Sequence, residues 1–580
     1  MLGTMAGLWI SLFLLFFAGM LSMGILMGKH AGDGIVNVEK HTALYLDLSG
    51  TVNERRENVN FMQLLQQSGD NTSSLEEMIA ALNAAADDNC IEGVYLNCNG
   101  AAMGMASREE LIDALTRFAQ FGKWIYAYAD SYGEGDYVIA TTANRVVLNP
   151  IGSVDIHGLG GMTPFYKGLL DKLGIKMQIL KVGTYKSAVE PYILSSMSDP
   201  AREQMQQYVD SLWTYMVDVM SYNRTIPADT IRSLASQLIS TRQAETFVAD
   251  NLVDTLLYRR QSNQLLREYL DLGKDDELRL ISPADYVASR CLLSSDSDRN
   301  HIAVLYAVGD IVDAGEGGIV GSTMVDNIVS LADDKHVKGL VFRVNSPGGS
   351  AFASEQIWEA LEYFKSKGKP FYVSMGDYAA SGGYYISCGA DSIFADKTTI
   401  TGSIGVFGMI PDFSGLVTDK LGVTFSTVES NPNGAGISVM DAMTPEQQQA
   451  MQRSVDNIYE LFTSRVAEGR GLTQDYVKTI AEGRVWVGTA ALGLGLVDHL
   501  GNLDRTIAVM AETTGLDVKD VVRYPKSEEN IWEKIIRQSG GLDGLKAAGY
   551  DAETLRYVNI VRRLRTDNPI QARIEPAIFK

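Results

Sequence analysis

The chain is short of cysteine, proline, histidine and positive charge, and each shortage removes a class of function. Four cysteines in 580 residues, Cys90, Cys98, Cys291 and Cys388, include no CxxC pair. That argues against a zinc site and against a disulfide scaffold. They read as small buried hydrophobes. Fourteen prolines against 55 glycines describe many tight turns rather than a disordered linker protein. Lysine and arginine total 50 against 71 acidic residues, a formal net charge of −21. A nucleic-acid partner is therefore not expected, because phosphate binding needs clustered cations. The histidines are His30, His41, His157, His301, His336 and His499.

What is present is a long chain, 46% apolar, enough for two or more globular domains. Leu2–Gly28 carries no charge and Leu8–Met27 is almost wholly apolar, which meets the ~20 residues a helix needs to cross a bilayer. There is no basic n-region, small-residue cleavage site or lipobox cysteine. Residues 1–30 therefore read as an uncleaved transmembrane anchor. Lys29, just beyond it, on its own weakly favours a cytoplasmic C-terminal flank.

Beyond the anchor, one unit of ~250 residues is written twice. His41–Leu48 resembles His301–Val308, Gly93–Asn99 resembles Gly339–Asn345, and Gly122–Tyr126 resembles Gly368–Tyr372. Asp171–Ile175, Asp199-Pro200 and Leu252–Leu256 then match Asp419–Val423, Thr444-Pro445 and Leu496–Leu500, in the same order. In the second unit Gly339–Val344 and Pro370–Met375 read as buried strands, and Ile357, Ala360, Leu361 and Phe364 lie between them at helical spacing. Strand, helix, strand implies βαβ units and a largely parallel α/β sheet. A long amphipathic helix follows in each unit, opened by Thr444-Pro445 and by Asp199-Pro200 and reaching about Ala467 in the second. The expected division is residues 31–295 and 296–523 for the two halves, with 524–580 a helical tail.

Three glycine-rich segments follow predicted strands of the second half: Asn345–Ser350 (NSPGGS), Tyr378–Tyr384 (YAASGGY) and Thr401–Gly405 (TGSIG). Ligand sites in α/β sheets form at such strand ends. Gly348 and Gly349 offer bare N–H groups that can stabilise an oxyanion. Ser381, between small neighbours at a helix start, would be an unobstructed nucleophile, with the Gly382 amide as a second oxyanion donor. The alternative is a pair of ordinary glycine turns with Ser381 as an N-cap. A serine nucleophile needs a base. Only His499 follows Ser381, at a position where the first unit has Thr255, so a Ser-His-Asp triad is poorly supported. A lysine can serve if its surroundings favour the neutral amine. Lys186, in a stretch from Val182 uncharged but for itself until Glu190, is a candidate; the alternative is a surface lysine.

Taken together, SPGG, AASGGYY and TGSIG, with Gly183–Tyr192 (GTYKSAVEPY), resemble the signal peptide peptidase A family of the long, duplicated type, serine proteases of family S49. The resemblance covers nearly the whole chain. It implies a crotonase/ClpP-like fold in each half and a Ser/Lys dyad: Ser381 the nucleophile, Lys186 the general base, Gly348 and Gly382 the oxyanion donors, Ser403 orienting the lysine. It implies degradation of leftover signal peptides and other membrane-derived peptides, no cofactor or metal, a homotetramer enclosing a chamber, and an extracytoplasmic catalytic region on the bacterial inner membrane, against the weak cue of Lys29.

The duplication makes an independent point. Gly135 stands opposite Ser381, within Tyr132–Tyr137 (YGEGDY), and the SPGG counterpart is Asn99-Gly100-Ala101-Ala102. Lys186 falls opposite about Asn431–Gly434, and no lysine occurs between Thr424 and Met443. Each half lacks what the other keeps, so one chain carries one pair. Two other readings remain: a crotonase-like acyl-CoA enzyme, which would need a catalytic Glu near the oxyanion site, and a non-catalytic membrane scaffold that binds peptides.

Overall fold

The computed structural model describes residues 37–56, 74–293, 297–315, 317–526 and 570–573. The expected anchor lies outside the described residues. Among those residues no helix is long and apolar enough to cross a membrane.

The two halves repeat one topology. In the first, six parallel strands run in the order Thr255–Leu256, Arg145–Leu148, Trp124–Ala129, Ile91–Cys98, Thr42–Leu48, Leu280–Ile281. In the second, His499–Leu500, Ser392–Ala395, Phe371–Ala380, Val337–Ser346, His301–Val308 and Val521–Tyr524 stand in the same order, again parallel. Their near-continuous burial is what a parallel sheet covered on both faces requires. The expected helix is Ala351–Ser366, and its Ile357, Ala360, Leu361 and Phe364 all enter the core.

Two details depart from expectation. The strands run further than their apolar runs, to Ser346 and Ala380, because the last residues of Phe371–Ala380 leave Ser392–Ala395 and pair with Ile400–Gly402. The long helices are Asp199–Arg224 and Pro445–Arg470, and the first is capped by the Ser198 hydroxyl, which accepts from the Ala201 amide, rather than by Asp199. Of the cysteines, Cys98 and Cys388 are buried but Cys291 is exposed at the end of helix Pro283–Arg290.

A third sheet joins the halves. Lys176–Val182 of the first half pairs antiparallel with Val406–Asp412 of the second over seven residues, from Val182 opposite Val406 to Lys176 opposite Asp412. On the far side of Val406–Asp412 lies Ile570–Arg573, then Gly348–Ser350, Ile311–Val312 and Ile319–Val320. Of the expected helical tail, residues 570–573 form a strand ladder-bonded on both sides, and residues 527–569 and 574–580 lie outside the described residues.

A buried ionic cluster also ties the halves. Arg343, fully buried on strand Val337–Ser346, meets Glu54 at 2.9 Å and Glu110 at 2.7 Å, both from the first half, and donates to Ser374 Oγ and the Met375 carbonyl. Breaking one partner of such a cluster costs about 3–5 kcal/mol, because it strands a buried charge. Burial pushes the Glu110 carboxyl up to about 7.

Candidate active site

Strand Phe371–Ala380 ends at Ser381, which takes φ 55° and ψ −115° before helix Gly382–Tyr385 begins. A side chain in that conformation is strained by roughly 1–3 kcal/mol. The strain buys a sharp strand-to-helix corner, the geometry by which nucleophile elbows aim a hydroxyl. The corner is held on both sides: the Ser381 amide donates to the Gly402 carbonyl and its carbonyl accepts from the Tyr385 amide, each at 2.8 Å. On the neighbouring strand Ser346 pairs with Ala379, which brings the SPGG loop beside Ser381. The two turns are tightly apposed, since a Cβ on Gly383 would lie 2.6 Å from the Ser346 carbonyl oxygen. Gly348 adopts φ 105°, open to glycine, and its amide donates to Ser346 Oγ at 3.2 Å.

Lys186 arrives from the other half on the interdomain strand pair. Val182, the last residue of its strand, faces Val406, the first of the partner strand. The chain continuing past Val182 and the chain leading into Val406 therefore meet at one end, and these carry Lys186 and Ser403. The Lys186 amine lies 2.7 Å from Ser381 Oγ, 3.1 Å from Ser403 Oγ and 3.3 Å from the Ser403 carbonyl oxygen. These three acceptors are neutral oxygens. Lys186 is 1% exposed, and Ser381 and Ser403 are 0% exposed. The amine is buried, and the expected unobstructed hydroxyl is not found: Ser381 is buried as well.

The structure thus brings together Ser381, Lys186, Ser403, Gly348 and Gly382. It adds residues that sequence reasoning missed. Gly483, at φ 76°, would place a Cβ 2.7 Å from the Lys186 Cβ, so only glycine lets the lysine backbone pass. The Glu482 carboxylate accepts from the Thr184 amide at 2.9 Å and hydroxyl at 2.8 Å, and its carbonyl accepts from the Tyr185 amide. Gln204 donates to the Tyr185 carbonyl at 2.8 Å and Ser187 Oγ at 3.1 Å, and accepts from the Val485 amide. The lysine loop is therefore clamped to residues 482–485. No local motif signals this.

The counterpart in the first half is built differently. The structure shifts the expected counterpart of Ser381 by one residue: Tyr137 and Tyr384 donate equivalently to the Leu252 and Leu496 carbonyls, so Glu134, the first residue of helix Glu134–Ala140, stands opposite Ser381, and Gly135 stands opposite Gly382. Next to it, the Asp136 carboxylate accepts from the Gly100 amide at 2.7 Å, and Arg108 donates to the Ala101 carbonyl at 3.0 Å. Asn431–Gly434, opposite Lys186, is an exposed turn.

The peptidase family S49 model matches the chain twice, at residues 117–272 and 363–517. The chain belongs to peptidase family S49. The two matches fall one in each half, as the duplication requires, and a Clp protease model also matches residues 318–398. Among relatives, "Protease 4" of Haemophilus influenzae is 35% identical over 84% of this chain and 82% of its own length. "Protease 4" of Salmonella typhi is 36% identical over 87% of this chain and 83% of its own. "Serine protease SPPA, chloroplastic" of Arabidopsis thaliana is 26% identical over 94% and 79%. S49 membership favours a peptidase over the acyl-CoA reading.

Proposed function

We propose that this S49 peptidase is a membrane-anchored serine endopeptidase that degrades cleaved signal peptides with a Ser381/Lys186 dyad. The observation that carries the reading is the 2.7 Å contact between Lys186 Nζ and Ser381 Oγ in a buried site. A neutral Lys186 amine takes the Ser381 proton as Oγ attacks the peptide carbonyl carbon. The oxyanion that forms is met by the amides of Gly348 and Gly382. Lysine then returns the proton to the departing amine, and a water, deprotonated in turn by Lys186, hydrolyses the acyl-enzyme. The Ser403 hydroxyl, 3.1 Å from Nζ, orients the amine.

The test is cleavage of a fluorogenic peptide by the detergent-solubilised full chain. Ser381→Ala and Lys186→Ala are expected to reduce it to background, and Ser381 to label with a serine-directed phosphonate. Full activity in either variant overturns the dyad, and an unlabelled Ser381 supports the scaffold reading instead. The apolar run at residues 8–27 supports anchoring; resistance of the chain to carbonate extraction, lost when that run is removed, checks it. A tetramer and an extracytoplasmic site belong to the same proposal, tested by sedimentation in detergent and by protease accessibility in intact cells.

A further inference from the structure

Ser381 and Lys186 come from different halves, so something must hold their separation to hydrogen-bond precision. Arg484 stands where the two approaches meet. It belongs to the second half, in the short run between helix Gln474–Ile480 and strand Val485–Val487. Its guanidinium carbon lies 4.6 Å from the Tyr185 ring centroid and 4.7 Å from that of Trp486. It donates to the Tyr185 hydroxyl at 3.1 Å, and to Glu203 and Gln207 on helix Asp199–Arg224 at 2.9 Å and 2.6 Å. Its backbone carbonyl accepts from the Ser403 amide at 2.7 Å, and the Gly483 carbonyl beside it accepts from Ser403 Oγ at 3.2 Å.

These contacts lead to both members of the pair. Tyr185 is the residue before Lys186, and Ser403 Oγ lies 3.1 Å from the lysine amine. Trp486 leads to the serine. It faces Thr401 across the antiparallel strands Ile400–Gly402 and Val485–Val487, and a Cβ on Gly402 would meet its ring at 2.9 Å. Gly402 is the residue whose carbonyl accepts from the Ser381 amide. A guanidinium lies flat on aromatic rings and donates in a fixed fork, so it sets orientation as well as distance; an ammonium does neither. We propose that Arg484 is a positioning residue for the dyad: it seats the Lys186 loop through Tyr185 and the Ser381 corner through Trp486 and Gly402, and so sets the gap across which the proton moves. The proposal rests on the Ser381/Lys186 reading. A displacement of about 1 Å in such a pair costs about 10²-fold in rate. Because Arg484 acts on the reacting atoms through its neighbours, the loss falls on kcat and leaves KM in place.

The experiment compares the full chain with its Arg484→Ala and Arg484→Lys variants. Two rates are measured: steady-state cleavage of a fluorogenic peptide, and labelling of Ser381 by a serine-directed phosphonate. In Arg484→Ala, kcat is expected to fall about 10²-fold with KM within about twofold, and labelling to slow in proportion. Arg484→Lys is expected to restore less than about a tenth of the lost rate, because it keeps the charge and loses the stacked fork. A kcat within about threefold of the unmodified chain, a loss carried by KM, unslowed labelling or recovery by lysine overturns the proposal. Thermal melting verifies that the variants fold. Should Arg484→Ala melt early, Tyr185→Leu carries the same test, since it removes the ring but leaves Arg484 its contacts with Glu203 and Gln207. There kcat falls with KM constant, or the proposal fails. Should Lys186→Ala retain activity, the dyad fails instead, and that variant alone tells the two failures apart.

Discussion

The two strand-end sites of this chain share a scaffold and differ in where the negative charge comes from. In the second half, Ser381 and Gly382 stand at the corner and the Gly348 amide of the SPGG loop donates to Ser346 Oγ at 3.2 Å, with no carboxylate on it. In the first half, Glu134 stands where the serine would be, and Asp136, in the place of Gly383, puts its own carboxylate on the Gly100 amide at 2.7 Å. Arg108 closes the arrangement 3.9 Å away. Burial pushes the Asp136 carboxyl up, while the loop amides it accepts from pull the other way. A loop that can stabilise a transient anion can equally hold a permanent one. Once a covalently attached carboxylate sits there, the site is a structural plug.

The comparison can be broken most severely at Lys186. Lys186→Arg keeps the positive charge and much of the length but cannot give up its proton. Activity of this variant is expected to fall about 10³-fold or more, as far as removing a member of a catalytic unit does. Recovery of even a tenth of the rate by arginine would mean that the lysine acts as a charge and not as a base. Next in size is Gly483→Ala. The added Cβ meets the lysine backbone in a conformation that disfavours side chains, so the amine shifts and kcat drops roughly 10²-fold with KM nearly constant. Gly493→Ala, with nothing near its Cβ, is the control and leaves both unchanged.

A smaller effect is read as stability against pH. Burial raises Glu110 from its ordinary 4.5 to about 7. The folded chain therefore holds a proton that the unfolded chain has released, so this group's contribution is full below 4.5 and is lost as pH climbs through about 7. Glu109 and Asp396 are shifted the same way by burial. Scanning calorimetry is expected to show Tm falling between pH 5 and 8, with a shallower fall in Glu110→Gln. The smallest effect is expected at the plug. Asp136→Asn should cost about 1–2 kcal/mol of stability in denaturant titration, with peptidase activity unchanged. Glu134→Ser on that background should still leave Ser381→Ala inactive, because the segment opposite Lys186, Asn431–Gly434, contains no lysine.

Much of this was legible in the sequence because it was written locally and twice. The strand, helix, strand alternation and the parallel sheet followed from apolar runs, and Ser381 and the glycines from turns that only small residues allow. Lys186 and Ser403 were legible because they sit within short motifs that resemble those of a family. What escaped was long-range. Arg343, Glu54 and Glu110 look like ordinary surface charges until the fold buries them together. Glu482, Gly483 and Gln204 clamp a loop nearly 300 residues from two of them, with no periodicity to betray it. Asp136 was visible within YGEGDY only as part of a lost nucleophile motif; its role depends on a loop amide 36 residues earlier. The strand Ile570–Arg573 was hidden for another reason: four residues paired through their backbones leave almost no side-chain signature.

The antiparallel pairing of Lys176–Val182 with Val406–Asp412 also acts as a clock. Lys186 and the serine its amine meets are 195 residues apart in the chain. At ribosomal speeds of about 5–20 residues per second, Lys186 is made roughly 10–40 s before Ser381, and the strand that aligns them later still. During that interval the first half can fold around its own plug, but it holds only half of the chemistry. Under the proposed dyad, a peptidase made this way cannot cut neighbouring nascent chains while it is being synthesised, and it becomes active only when its second half is complete.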